Sequence, residues 1–381
     1  MAKLGDVFPL IRNGASIKQT DGASGIPITR IETIANREID REKFGYANLD
    51  CANKYQDYLL RDGDILMSHI NSEKHLGKVA RYKAETDEKI IHGMNLLMLR
   101  GNQEKILPAY AEHYFNSDSF LRQIPNITKK SVNQASFTVS ALKELQIQVP
   151  SMSDQYKIAK TLDKVSDLIA LRKQQLAKLD ELVKVRFIEL FGDPKTNNKE
   201  WRMNTFADIC TVRQGLQIPI SKRLTQYEEG CYEYITVAYL HGSKEREYIK
   251  NPKSTVICTE EDVLMTRTGN TGMVITNVAG AFHNNFFLID FDRTRYNKVF
   301  LVEYLNLDLI QAEIKRRAGT STIPDLNHGE FYAISIYEPP VELQKQFAVF
   351  AEQTDKSKSE IQTALTTLET LKKSLMQQYF G

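Results

Sequence analysis

Between residues 151 and 192 the apolar positions fall at Ile158, Leu162, Val165, Ile169, Leu176, Leu179, Val183 and Leu190, in steps of four and three that only Arg172 and Arg186 interrupt. A seam sustained for about five heptads predicts one long helix packed along its length against a partner. Ser151 behind Pro150, with Asp154 three residues on, has the form of a capping box. Gly192-Asp193-Pro194 supplies a left-handed exit and then a residue that cannot continue a helix. Roughly 38 helical residues would span about 57 Å.

Shifted by 189 residues, the same seam reappears at Phe347, Ala351, Thr354, Lys358, Ile361, Leu365, Leu368, Lys372, Leu375 and Tyr379. The ends agree: Leu190-Phe191-Gly192 matches Tyr379-Phe380-Gly381, and Gln155 lies five residues past Pro150 as Gln344 lies five past Pro339. The polar defects are complementary, since Arg172 and Arg186 correspond to Ile361 and Leu375, and Lys358 and Lys372 to Ile169 and Val183. This pattern predicts two helices packed along their length, with interleaved defects that fix their register. The bland alternative buries each helix in a separate domain core.

The repeat extends beyond the helices. Residues 1–150 read as an α+β domain: an alternating segment at 26–34, a strand after the Arg61-Asp62-Gly63 turn, a buried strand near 95–100, and a helix at 108–121 with Tyr110, Tyr114 and Phe115 on one side. Residues 193–340 follow the same plan, with Gly215 answering Gly14, Asp262 answering Asp64, and a helix near 299–314. The expected organisation is therefore a first domain (1–150), a spacer helix (151–192), a second domain (193–340) and a C-terminal spacer helix (341–381). A polar linker at 193–201 marks the join. Frame positions repeat while loop residues differ, as expected if one scaffold serves two different recognition tasks.

Composition narrows the function. The 381 residues are 42% hydrophobic and 26% charged, ordinary for a soluble protein of two or three domains. With a formal net charge of +2, any nucleic-acid surface must be a local patch. No stretch approaches 18 apolar residues and the N-terminus lacks a signal-peptide core, so membrane and secretory roles are set aside and a cytoplasmic location is expected. The four cysteines form no Cys-x-x-Cys pair. No phosphate-cradling Gly-x-x-x-x-Gly-Lys loop, no dinucleotide fingerprint, no metal-spaced histidines and no nucleophile elbow occur, and Asn251-Pro252-Lys253 lacks the aromatic of an amino-methyltransferase motif. The chain reads as non-catalytic.

What chemistry remains lies in polar, basic loops at equivalent places. In the first domain these hold His69, Asn71 and Lys74, then Lys129, Lys130, Asn133 and Gln134; in the second, Arg267, Thr268 and Asn270, then Arg316, Arg317, Thr320 and Ser321. Arg, Lys, Asn and Gln can bond two groups of a purine edge at once, and hydroxyls suit phosphate oxygens. A solvated charged loop is the competing reading of each. His69 and His75 read as surface residues unless His69 shares the role of Arg267; Arg12 and Arg213 read equally as strand-end arginines or DNA contacts. Trp201 reads as a plug between linker and domain.

Two divergent domains, each with a Gly-ended apolar run (Gly14, Gly215), an Asp-apolar-Leu step (Asp64, Asp262), a Pro followed by Gln (Gln155, Gln344) and a long helix ending in Phe-Gly, resemble the specificity subunit of type I restriction-modification enzymes. The resemblance implies an α+β fold with two pseudo-twofold-related target recognition domains joined by two long antiparallel helices. It also implies a subunit that neither cuts nor methylates, binding a split sequence in double-stranded DNA while two methyltransferase subunits dock on the helices and restriction subunits join. No cofactor is implied on this chain; S-adenosylmethionine, and ATP with Mg, belong to the partners. Independently of the resemblance, equal antiparallel helices would hold two readers at about one DNA turn, roughly 34 Å. Rival readings are an orphan DNA-targeting subunit and a coiled-coil scaffold that binds proteins.

Overall fold

Apolar runs without alternation form the central strands, because both of their faces are covered. The computed structural model describes residues 1–20, 25–49, 51–85, 87–131, 134–240, 242, 245–320, 322 and 324–381. The chain divides into a first unit, Met1–Lys173 with Thr363–Gly381, and a second, Gln174–Gln362. The first unit holds an antiparallel sheet ordered Leu10–Asn13, Leu96–Arg100, Ile65–Ser68, Val79–Arg81. Its side chains sort by parity. Ile65, Met67, Leu97 and Leu99 enter the core shared with the helices, and Leu66, Leu96 and Met98 enter a smaller core on the other face. The second unit repeats this sheet as Cys210–Gln214, Phe286–Phe291, Val263–Thr266, Val274–Ile275, with Met265 and Phe287 toward the larger core and Leu264 and Leu288 toward the smaller.

Gly14 and Gly215 follow the first strand of each sheet at a close crossing. A Cβ there would lie 2.0 Å from the Gly93 carbonyl oxygen in one unit and 2.2 Å from that of Phe282 in the other, so only glycine fits. Beyond these glycines the units diverge. The first inserts an antiparallel sheet of Gln19–Thr20, Gly45–Ala47 and Ile26–Ile28; the second inserts Tyr248–Lys250, Cys231–Ile235, Gly280–Phe282 and Ile257–Cys258, with one parallel pair.

Two expected elements are shorter than their sequence patterns. The strand expected over 26–34 stops at Ile28, and Ile31–Ile34 is a 3-10 turn whose entry is fixed by the Arg30 N–H donating to Thr33 Oγ1 at 2.8 Å. The helix expected over 108–121 is two helices, Pro108–Phe115 and Asp118–Leu121, because the Ser117 hydroxyl caps the second by accepting the Phe120 N–H. Its counterpart breaks likewise, into Lys298–Asn306 and Asp308–Ala318 at Leu307, whose ψ of 136° leaves the helical region.

The long helices run Met152–Phe191 and Val341–Phe380, 40 residues each. Asp154 N–H donates to Ser151 Oγ, whose own proton goes to the Asp154 carboxylate, closing the cap; Gly192 leaves the first helix at φ +82°. Every seam position is buried or half-buried, the four basic ones included. Within each unit the helices run antiparallel. In the first, Leu162 and Phe380 share a core while Lys173 reaches Glu369 at 3.2 Å. In the second, Phe187 and Phe191 meet Phe347 at ring separations of 5.2 and 5.6 Å, and Lys358 bonds Asp180 at 2.8 Å. Ala159, Phe187, Phe191 and Phe380 are also buried although they lie off the two-position seam, because the strands and short helices of each unit cover a flank of the pair.

Gln155 and Gln344, both fully buried, tie each helix start to its sheet domain. Gln155 accepts the Leu107 N–H and donates to the Lys105 and Pro150 carbonyls, each at 2.9 Å. Gln344 accepts the Asn297 N–H at 2.8 Å and donates to the carbonyls of Arg295 at 3.0 Å and Pro339 at 2.8 Å.

Candidate nucleic-acid interface

In the first unit the two candidate loops, some sixty residues apart in sequence, become one surface. A small antiparallel sheet orders Lys129–Lys130, Ala135–Ser136 and Ile70–Asn71, so Asn71 pairs with Ala135, and Ala135 with Lys130. The Phe137 N–H donates to the His69 carbonyl at 3.1 Å. Lys74, Lys129, Lys130 and Gln134 are exposed, with Lys130 paired to Glu73 at 2.8 Å across the surface. Such exposed pairs contribute little and exchange readily for phosphate. Asn71 is half-buried: its Oδ1 accepts the Ser72 N–H at 2.7 Å. Asn133 lies outside the described residues.

His69 is not the surface side chain expected. It is only 5% exposed, ring-to-edge against Phe137, and burial lowers its pKa to about 4 against the opposing bond to the Asn95 backbone. The strand preceding it is buried on both faces, which carries His69 inward. Its Nδ1 has no hydrogen-bond partner.

The second unit joins its loops at the corresponding point. Thr268 bridges Asp325, and the Leu326 N–H donates to the Arg267 carbonyl at 2.9 Å, as Phe137 does to His69. The loop is folded tightly on itself: the Thr266 hydroxyl donates to the Asn270 carbonyl and accepts the Met273 N–H at 2.9 Å. Asn270 and Thr320 are exposed. Ser321 lies outside the described residues. Arg316 and Arg317, expected in a loop, instead close the helix Asp308–Ala318, where cations complement the carbonyl end. Both bond Glu313, and Arg317 also bonds Glu330 at 2.9 Å, so Arg317 serves the fold.

Arg12 and Arg213 hold equivalent strand ends to the inserted segments. Arg12 stacks over Tyr58 at 3.9 Å and bonds the Asp57 carbonyl; Arg213 bonds the Thr255 carbonyl at 3.3 Å. Trp201 plugs the linker, its indole N–H donating to the Phe191 carbonyl at 2.8 Å. One residue absent from the sequence-level candidates joins the surface: Asp325, which takes two bonds from Arg267 Nη2 at 2.7 and 2.8 Å. Its only signal is the Pro324-Asp325 pair, 58 residues from its partner.

Known proteins match this doubled arrangement. A family model described as type I restriction modification DNA specificity domain matches residues 1–181 and again 198–372. The MjaX type I restriction enzyme specificity subunit of Methanocaldococcus jannaschii is 31% identical over 368 residues, covering 91% of this chain and 84% of that protein. In structure, the S subunit of a type I restriction-modification system from M. genitalium superposes with a TM-score of 0.64 at 14% identity, covering 98% of this chain and 94% of the other. A chain from work on complex assembly and conformational transition of the type I R-M system superposes with a TM-score of 0.54 at 16% identity, covering 100% and 96%.

Proposed function

The chain belongs to the family of type I restriction-modification DNA specificity proteins, and from that premise we propose how its parts divide the work. It is a non-catalytic, sequence-specific DNA-binding subunit with two target recognition domains; cutting and methylation reside in partner subunits. Residues 1–150 read one half of a split, asymmetric target and residues 193–340 the other, while the helix segments 151–192 and 341–381 set the distance between the halves. Two methyltransferase subunits, which hold the S-adenosylmethionine, dock along the helices and methylate adenine at N6. Restriction subunits, with ATP and Mg, complete the assembly. No cofactor is assigned to this chain, and its working compartment is the cytoplasm. Among the described residues no helix is long and apolar enough to cross a membrane.

The observation that carries this reading is the doubled junction: His69 with Phe137 and Arg267 with Leu326 make the same backbone bond at the same place in the two units, and the side chains around each junction differ. A frame kept while its loops change suits two readers with two sequences. The test is adenine-methylation mapping in a host that expresses the chain with its methyltransferase. A split motif that vanishes on deletion of the chain is expected, and two base pairs inserted in the spacer of that motif should abolish methylation. Binding that is unchanged by the insertion, or insensitive to salt, would count against it.

A further inference from the structure

We infer that Arg267 reads a guanine in the half-target of the second unit, with Asp325 as its positioning residue; this rests on the DNA-targeting function proposed above. The Arg267 side chain is only 17% exposed and lies over the buried Phe287 ring at 5.5 Å. Both of its bonds to Asp325 leave from Nη2, so the Nη1 edge stands outside the pair. Its Nε is buried without a partner, and so is the hydroxyl of the next residue, Thr268. Two neighbouring buried groups left unsatisfied are costly, and such a cost is kept where function constrains the local structure.

The ligand chemistry follows from shape. With Nη2 spent on Asp325, the two N–H groups of Nη1 remain to donate, and guanine is the base whose major-groove edge sets two acceptors, O6 and N7, side by side to take them. Gly269, two residues along the loop, is exposed, and a Cβ on it would meet no atom within 4 Å. Asp325, 47% exposed, repels a phosphate while holding Nη1 toward a base edge. In the first unit the equivalent place is taken by the buried His69, which offers no charged donor. The two half-targets should therefore differ in this contact.

The experiment uses the chain in complex with its methyltransferase partners. If the wild-type complex yields no split motif that depends on this chain, the DNA-targeting reading itself fails. Given a motif, guanines of the half assigned to residues 193–340 are replaced one at a time by 7-deazaguanine, which lacks the N7 acceptor. Binding should fall roughly ten- to hundredfold at one position. The Arg267→Ala complex should accept any base there and lose that sensitivity while the other half-target is unchanged, and Arg267→Met, which keeps the length without any donor, should do the same. Asp325→Ala should relax discrimination at that base pair only and Asp325→Glu should restore it, whereas a merely structural role would alter stability without changing base preference. A half-target without guanine, sensitivity that persists in both Arg267 variants, or an equal loss for all sequences with a flatter salt dependence, as a phosphate contact gives, each overturns the assignment.

Discussion

Gln155 and Gln344 show how a single side chain defines the repeated frame. Each satisfies three backbone groups that the start of a long helix and the neighbouring turn would otherwise bury unpaired. Gln155→Leu keeps the volume and removes all three bonds; it should cost about 2–4 kcal/mol in chemical denaturation, read as a lower midpoint at unchanged slope. The same frame buries His69 and His92, and in each case burial lowers the pKa to about 4. A histidine that resists protonation only when folded contributes its full stability above the unfolded value of about 6.5 and loses it as pH falls toward 4. The melting temperature of the chain should therefore fall steadily below pH 6.5, and His92→Gln should flatten that slope. Residue type alone pointed to Arg267 as a candidate reader, but neither the burial of His69 nor the pairing of Arg267 with Asp325 is written locally, because both depend on which strand lies behind which loop.

Among elements, the long helices were the most legible, because a heptad seam requires only periodicity and every seam position is covered. Phe187 was not legible as core, since its burial comes from Phe300 at 5.3 Å on a separate helix as well as from Phe347. Phe187→Ala should thus destabilise the second unit by about 3–5 kcal/mol in urea unfolding, more than Leu179→Ala at a half-buried seam position. The inserted sheets were not legible either. Their strands are two to five residues long, and their pairing crosses the chain, as when Cys231–Ile235 aligns with Gly280–Phe282, so no short window carries the signal. Arg316 and Arg317 were assigned to a loop by charge alone. A basic run suits a helix C-terminus as well as a loop, and Glu313 one turn back decides between them.

At the scale of the molecule, the division of labour follows from how each unit is assembled along the chain. The second unit is one uninterrupted stretch, Gln174–Gln362, whereas the first draws Thr363–Gly381 from the far end to complete the core around Phe380, whose ring meets Tyr110 at 5.5 Å and Tyr114 at 5.7 Å. Truncation after Gln362 should leave residues 1–150 sensitive to protease while the second unit stays resistant, and limited proteolysis of the shortened protein reads this directly. During translation the same arrangement imposes a timetable. The domain that emerges earlier from the ribosome waits, unfinished, until Thr363–Gly381 has followed, and the later one closes before it.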